Sequence, residues 1–161
     1  MDSIDFYSSY HTNPINKCIH FFCIPMIVLS SINFLNDISF KIKLPFNDKL
    51  GTKFVMYPEI NVNYFGISLV YNLYYYIFWG LKIGLVMHFY IWILSIVSEV
   101  WREFDKNWMK NSIIMFVGAW IMQFLGHAIE GNRPALLTSL GQTLFEAPLF
   151  SLSYVYPSLL E

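Results

Sequence analysis

His11, His20 and His127 carry the chemical interest of this 161-residue chain, because each stands among other polar side chains in apolar surroundings. His11 precedes Asn13-Pro14, an N-cap followed by the first position of a helix. A helix therefore begins near Asn13, and His11 lies on an approach segment free to turn toward it. Along that helix Asn16, His20, Cys23, Ser30 and Ser31 recur on a helical period, a polar stripe that faces protein and not lipid. Near the other end of the chain Trp120, Gln123, His127 and Glu130 are spaced by three, four and three. That spacing puts an indole, an amide, an imidazole and a carboxylate on one helix face. Gly118 and Gly126 flank the face and admit a close neighbour. Asn132-Arg133-Pro134 follows, where Pro134 ends the helix and Arg133 sits near the membrane surface. Ser139, Gln142 and Glu146 make a third stripe at steps of three and four. Polar groups in apolar runs are costly and mark either a function or a packing partner.

A lone intramembrane histidine is more often a hydrogen-bonded packing residue than a ligand. His88, with no polar neighbour three or four residues away, is read that way. Tyr74, Tyr75 and Tyr76 are read as interfacial aromatics. Three histidines and a carboxylate gathered on one face are another matter. Imidazole nitrogen with carboxylate oxygen suits Fe(II), Zn(II) or Mn(II), and two histidines with one carboxylate and open positions form the usual site of non-haem iron oxygenases. On the residues alone, a metal site and a structural cluster both stay open.

The elements that position these residues follow from where charge is missing. Hydrophobic residues make up 56% of the chain and charged residues 13%, against roughly 45–50% and about 25% in a soluble domain. That shortage excludes a free-standing soluble monomer, and an aromatic content of 19% excludes disorder. Ten Lys and Arg against eleven Asp and Glu provide no basic field for a nucleic acid backbone. Charge-free windows at 18–35, 60–81, 83–98 and 112–129 each approach the roughly 20 residues a helix needs to cross a bilayer. The second and third are joined by a tight hairpin around Gly80, Lys82 and Gly84. A fifth window, 135–160, is broken by Glu146, Pro148 and Pro157 and reads as an amphipathic or kinked helix. The expected fold is an all-α polytopic membrane bundle of about four transmembrane helices plus that last helix, one integral membrane domain over 1–161. Cys18 and Cys23 are read as small packing residues.

In the loop 36–59, Ile38, Phe40, Ile42 and Leu44 alternate with Ser39, Lys41 and Lys43, which predicts an extended segment along the headgroups. The loop 99–111 is charged and bounded by Trp101 and Trp108, as in an interfacial belt. Asp2 and Asp5 against Lys17 alone give the wrong polarity for a secretory signal, so no cleavage is expected. Four crossings put the N-terminal segment and residues 130–134 on one face. Four of the ten cations fall in the first loop and three in the second, which favours cytosolic loops and a lumenal N-terminus.

His11-x4-Asn16-x3-His20 followed by Pro25 is one block. Gly118-Ala119-Trp120-x2-Gln123-Phe124-x-Gly126-His127-x2-Glu130-x2-Arg133-Pro134-Ala135-Leu136, with Gln142 and Ala147-Pro148-Leu149-Phe150, is another. Together they resemble the signature blocks of the yeast-type 2-hydroxy fatty acid dioxygenases, over roughly 7–35 and 116–152. The resemblance implies a multi-pass enzyme of the endoplasmic reticulum membrane. Such an enzyme uses Fe(II) and O2 to shorten a 2-hydroxy fatty acid by one carbon, a step of fatty acid α-oxidation in the breakdown of the sphingolipid base phytosphingosine. It maps the iron ligands to His11, His20 and His127; for the implied reaction, the chemistry of the residues makes Glu130 and Arg133 the candidate catalytic groups. Arg133 would hold the substrate carboxylate through its planar fork, with Asn16, Gln123 and Gln142 completing the substrate contacts. Glu130 would be a ligand or an acceptor orienting His127. Two departures stand out. Cys23 replaces a glycine and bears on helix packing; Glu146 replaces an apolar residue and bears on the pocket. A di-iron desaturase needs clustered histidine boxes, for which four histidines are too few. A non-catalytic membrane scaffold, or a small transporter using Glu130 and Arg133 as a relay, is the alternative.

Overall fold

A computed structural model of the chain describes residues 11–38, 41–43, 59–132 and 140–160. Helix α1 (Pro14–Ile38) starts at the local signal: Asn13 Oδ1 accepts the Ile15 N–H at 2.8 Å and Pro14 takes the first helical position. Helices α2 (Val62–Phe104), α3 (Trp108–Glu130) and α4 (Leu140–Val155) follow, with a short 3-10 turn at Pro157–Leu159. Between α1 and α2, strands β1 (Lys41–Lys43) and β2 (Glu59–Asn61) pair antiparallel, Ile42 opposite Ile60. The extended segment read from the period of two is thus a strand at 41–43, while Ser39, Phe40 and Leu44 lie outside the described residues.

Helix α2 folds back on itself. Gly80 takes φ 77° and ψ −177°, a conformation open to a residue without Cβ. His88 Nδ1 lies 3.2 Å from Asn72 Oδ1, whereas sixteen residues of continuous helix would separate them by about 24 Å. The arms 62–79 and 81–104 therefore run antiparallel. At Gly84 a Cβ would stand 2.4 Å from the Tyr76 ring, so the glycine lets the arms close. Pro14–Asp37, Gly66–Phe104 and Trp108–Glu130 are long and apolar enough to cross a membrane, which makes this a membrane protein. With the fold-back, they form four long rods.

Burial is inverted relative to a soluble bundle. Ile77, Phe78, Leu81, Phe104 and Ile114 are more than half exposed, whereas Asn16, Ser30, Asn33, Ser98 and Ser112 are fully buried. In hydrocarbon, outward apolar side chains cost nothing and interhelical hydrogen bonds hold the rods together. Asn33 shows this best. Its Nδ2 donates to Ser112 Oγ at 2.8 Å, its Oδ1 accepts from Ser98 Oγ at 2.5 Å, and its carbonyl accepts from Arg102 at 3.3 Å. One side chain thereby ties α1, the return arm of α2, and α3.

The α2–α3 turn lies at the same end. Arg102 stacks on Trp108 at 4.2 Å and reaches Asp37 at 3.8 Å. Asn111 Nδ2, Trp101 Nε1 and the Asn107 N–H donate to Asp105 at 2.7–2.8 Å, and these bonds hold its carboxyl below the usual carboxylate range. Ser112 at the start of α3 meets Asn33 late in α1, so those two helices are antiparallel.

Tyr74, Tyr75 and Tyr76 are not a surface belt. Tyr75 is fully buried and donates to the Phe145 carbonyl, Tyr74 stacks on Phe145 with centroids 4.5 Å apart, and Tyr76 covers Gly84. The fold-back brings the return arm onto one side of this run and α4 onto another. Helix α4, with Pro148 inside it, is about 24 Å long, shorter than a bilayer core. Past its end, the Ser158 carbonyl accepts from Lys82 Nζ at 2.9 Å, next to the Gly80 turn.

Candidate metal centre

The start of α1 and the end of α3 meet at one end of the bundle. Gly131, in the left-handed conformation at φ 77°, stops α3 directly after Glu130 by donating its N–H to the His127 carbonyl at 3.0 Å. Glu130 then reaches across to α1. Its Oε1 accepts from the Thr12 N–H at 2.8 Å and Thr12 Oγ1 at 2.5 Å; its Oε2 accepts from the Asn13 N–H at 2.9 Å and Asn16 Nδ2 at 3.1 Å. A carboxylate at a helix start satisfies orphan N–H groups and the positive end of the helix dipole together. It also fixes the residue just before, His11.

His11 is carried back over the first turns of α1, where its Nε2 lies 3.1 Å from His20 Nε2. His127, one turn before Glu130, completes the group. Ring centroids are 4.4, 4.9 and 5.0 Å apart, all three side chains are buried, and one ring nitrogen from each lies within 4.8 Å of the others. His20 Nδ1 is 2.9 Å from the Asn16 carbonyl. That carbonyl accepts a hydrogen bond from the Nδ1–H and leaves Nε2 with a bare lone pair, the arrangement by which outer partners orient metal ligands. His127 Nδ1 is buried and has no partner among the described residues. Converging imidazole nitrogens, one of them orphaned, are what a bound transition-metal cation satisfies, and an all-nitrogen set suits Fe(II) as well as Zn(II). The residues present fit an iron ion.

A cavity of about 350 Å³ opens from His20, His127 and Gln123 and runs between the helices, a volume at the lower end of small-molecule sites. Its wall along α1 is Ile24, Val28, Ile32 and Leu35. Gln123 is 6% exposed and its Nε2 has no partner among the described residues. Trp120 lines the cavity farther in.

The other residues singled out from sequence are placed as follows. Glu130 binds the start of α1 and so neither orients His127 nor joins the triad. Asn16 is fully buried, is engaged by Glu130, and does not line the cavity. Gln142 lies in the first turn of α4, and Arg133 and Ser139 lie outside the described residues. Glu146 is buried but turned from the cavity: its Oε1 accepts from Tyr74 at 3.3 Å. Cys23 is buried beside the polar stripe and Cys18 is exposed, both free. His88 belongs to the hairpin. The bonds from Thr12 and Asn13 were missed; an acid closing one helix and an N-cap opening another on the same face was the available signal.

The two flanking glycines part company. A Cβ on Gly126 would stand 2.3 Å from Asn16 Oδ1 and 3.3 Å from Asn16 Cγ, whereas one on Gly118 meets nothing within 4 Å. Asn16 is fully buried and its Nδ2 is spent on Glu130, so its side chain has little room to yield. Gly126→Ala should therefore cost about 1–3 kcal/mol through overpacking, read as a lower thermal midpoint in detergent together with weaker metal retention. Gly118→Ala should change neither.

The model of the Mpo1-like family, described as 2-hydroxy-palmitic acid dioxygenase Mpo1-like, matches residues 1–159. Among curated proteins, the chain is 28% identical over 151 residues to 2-hydroxy-palmitic acid dioxygenase MPO1 of Saccharomyces cerevisiae, covering 91% of this chain and 74% of that protein. No solved structure matches it. A match over nearly the whole length, on a chain whose histidines converge as described, places this protein in the Mpo1-like family of 2-hydroxy-palmitic acid dioxygenases.

Proposed function

We propose that this protein is an Fe(II)-dependent dioxygenase of the endoplasmic reticulum membrane that converts 2-hydroxy long-chain fatty acids to the acid one carbon shorter, in the breakdown of sphingoid bases. The observation that carries the reading is the buried His11, His20 and His127 group at the mouth of an apolar cavity. The name of the yeast relative supplies the substrate class.

Held by the three histidines, Fe(II) would supply the redox coupling to O2 that side chains lack. The overall balance is RCH(OH)COOH + O2 → RCOOH + CO2 + H2O, so the substrate supplies every electron that O2 takes and no reductant is consumed. The chain's own residues bind and orient. Gln123, with its buried unpartnered amide, donates a hydrogen bond to the carboxylate or hydroxyl of the acid. Arg133 follows α3 in the sequence and is assigned the carboxylate because its planar fork suits that group, with Gln142 assigned a further substrate contact. Asn16 and Glu130 position His20 and His11. The apolar wall excludes water from the acyl chain.

The test is an iron-loaded preparation in detergent, given 2-hydroxypalmitate under air. Expected are one iron per chain, pentadecanoate as product and one O2 consumed per acid. An iron-loaded protein that leaves the acid unchanged would return the scaffold or transporter reading.

A further inference from the structure

We propose that the cavity is a ruler for acyl chains, laid along α1 and stopped at Leu35; this rests on the reading above. The lining residues of α1 fall at 20, 24, 27, 28, 31, 32 and 35, one face of the helix, so the cavity runs parallel to its axis. From His20 to Leu35 are fifteen residues, about 22 Å of helix. A zigzag of carbon–carbon bonds near 1.5 Å advances about 1.25 Å per carbon, so this length seats about seventeen carbons.

The two ends differ in kind. At one end stand His20, His127 and the unpartnered Gln123 amide, which suit a polar head. Beyond them the wall is apolar, and the Ser31 hydroxyl is already spent on the Ile27 carbonyl at 2.8 Å. At the far end, Asn33 draws α1, the return arm and α3 together through Ser98 and Ser112, at the level of Leu35. Leu35 is the last residue of α1 in the cavity wall, so the wall ends at the level where the three helices are pinned. The occupant is therefore a single unbranched chain of about sixteen to eighteen carbons with an acidic head. Trp120 lies seven residues from His127, about 10 Å inward, level with the eighth to tenth carbons.

The experiment reads binding without iron or turnover. Stearic acids brominated at carbons 9 and 10, or at carbon 2, are added to the purified protein, and tryptophan quenching is compared with that of Trp120→Phe. Mid-chain bromine should quench the Trp120 signal more strongly than bromine at carbon 2, and palmitate should reverse it. Competition by saturated acids of graded length then reports the ruler. Ser31→Phe, which fills the bore one turn short of Leu35, should move the best competitor down by about four carbons. Leu35→Ala should move it up by about two carbons. Equal quenching by both acids, or the same length profile in all three proteins, overturns the ruler. If the profile shifts while no 2-hydroxy acid is consumed, the ruler stands and the dioxygenase reading falls; if the acid is consumed while the profile stays fixed, the reverse holds.

Discussion

His20→Ala should strip iron from the protein and abolish turnover, and millimolar imidazole should restore part of both. On the proposed reading each histidine would supply one of three nitrogens, so losing one would leave only two donors. Even partners outside the ligand set are worth about 10–100-fold in metal affinity, and a ligand is worth more. Rescue follows from the cavity: His20 and His127 line it, so free imidazole can occupy the space either ring vacates. His11 does not line it and is 1% exposed, so His11→Ala should lose iron equally and resist rescue. Iron content by metal analysis, with and without imidazole, checks all three. Full iron in the alanine variants would remove the triad, and equal rescue at His11 would contradict the described access.

Glu130→Gln should lower iron retention without touching a ligand. The carboxylate accepts hydrogen bonds from four donors on the segment that delivers His11 and the first turn of α1. Glutamine keeps one acceptor and turns an NH2 group toward backbone N–H donors. At a partly exposed site each lost bond costs about 1 kcal/mol. Losing two or three releases about 2–3 kcal/mol of anchoring, roughly 30- to 150-fold in the anchored population. Faster amide hydrogen exchange at Thr12 and Asn13, with an unchanged rate at Ser112, is the signature of a positioning role. Iron loss with unchanged exchange at Thr12 would mean that Glu130 acts on the metal itself.

How much of this was legible depended on the range of the interaction. Asn13-Pro14 announces the start of α1 because capping is local, and Gly80 announces the fold-back because its φ is local too. The clustering of His11, His20 and His127 followed from crossing parity, which needs no side-chain detail. The bonds from Thr12 and Asn13 to Glu130 join backbone groups to an acid more than a hundred residues away, and no periodicity reports them. Gly118 and Gly126 look alike in sequence, but eight residues turn a helix by about 80° past two full circles. One therefore meets α1 and the other faces lipid. Tyr75 has the composition of an interfacial residue, and its burial is decided by α4, which sequence could not place. The cavity is the space four helices leave between them, a property of no single segment.

The triad lies at the end of the bundle where α1 begins and α3 stops, with His20 about 9 Å along α1 from its first residue. In a bilayer that depth belongs to one leaflet. On the proposed reading, a metal held there would lie in that leaflet, where an anchored fatty acid would present its carboxyl group while its tail lies parallel to α1. Neither reactant would then have to cross the membrane, so the sidedness of the chain would decide which leaflet's lipids are within its reach, and a substrate confined to the opposite leaflet would first have to be flipped.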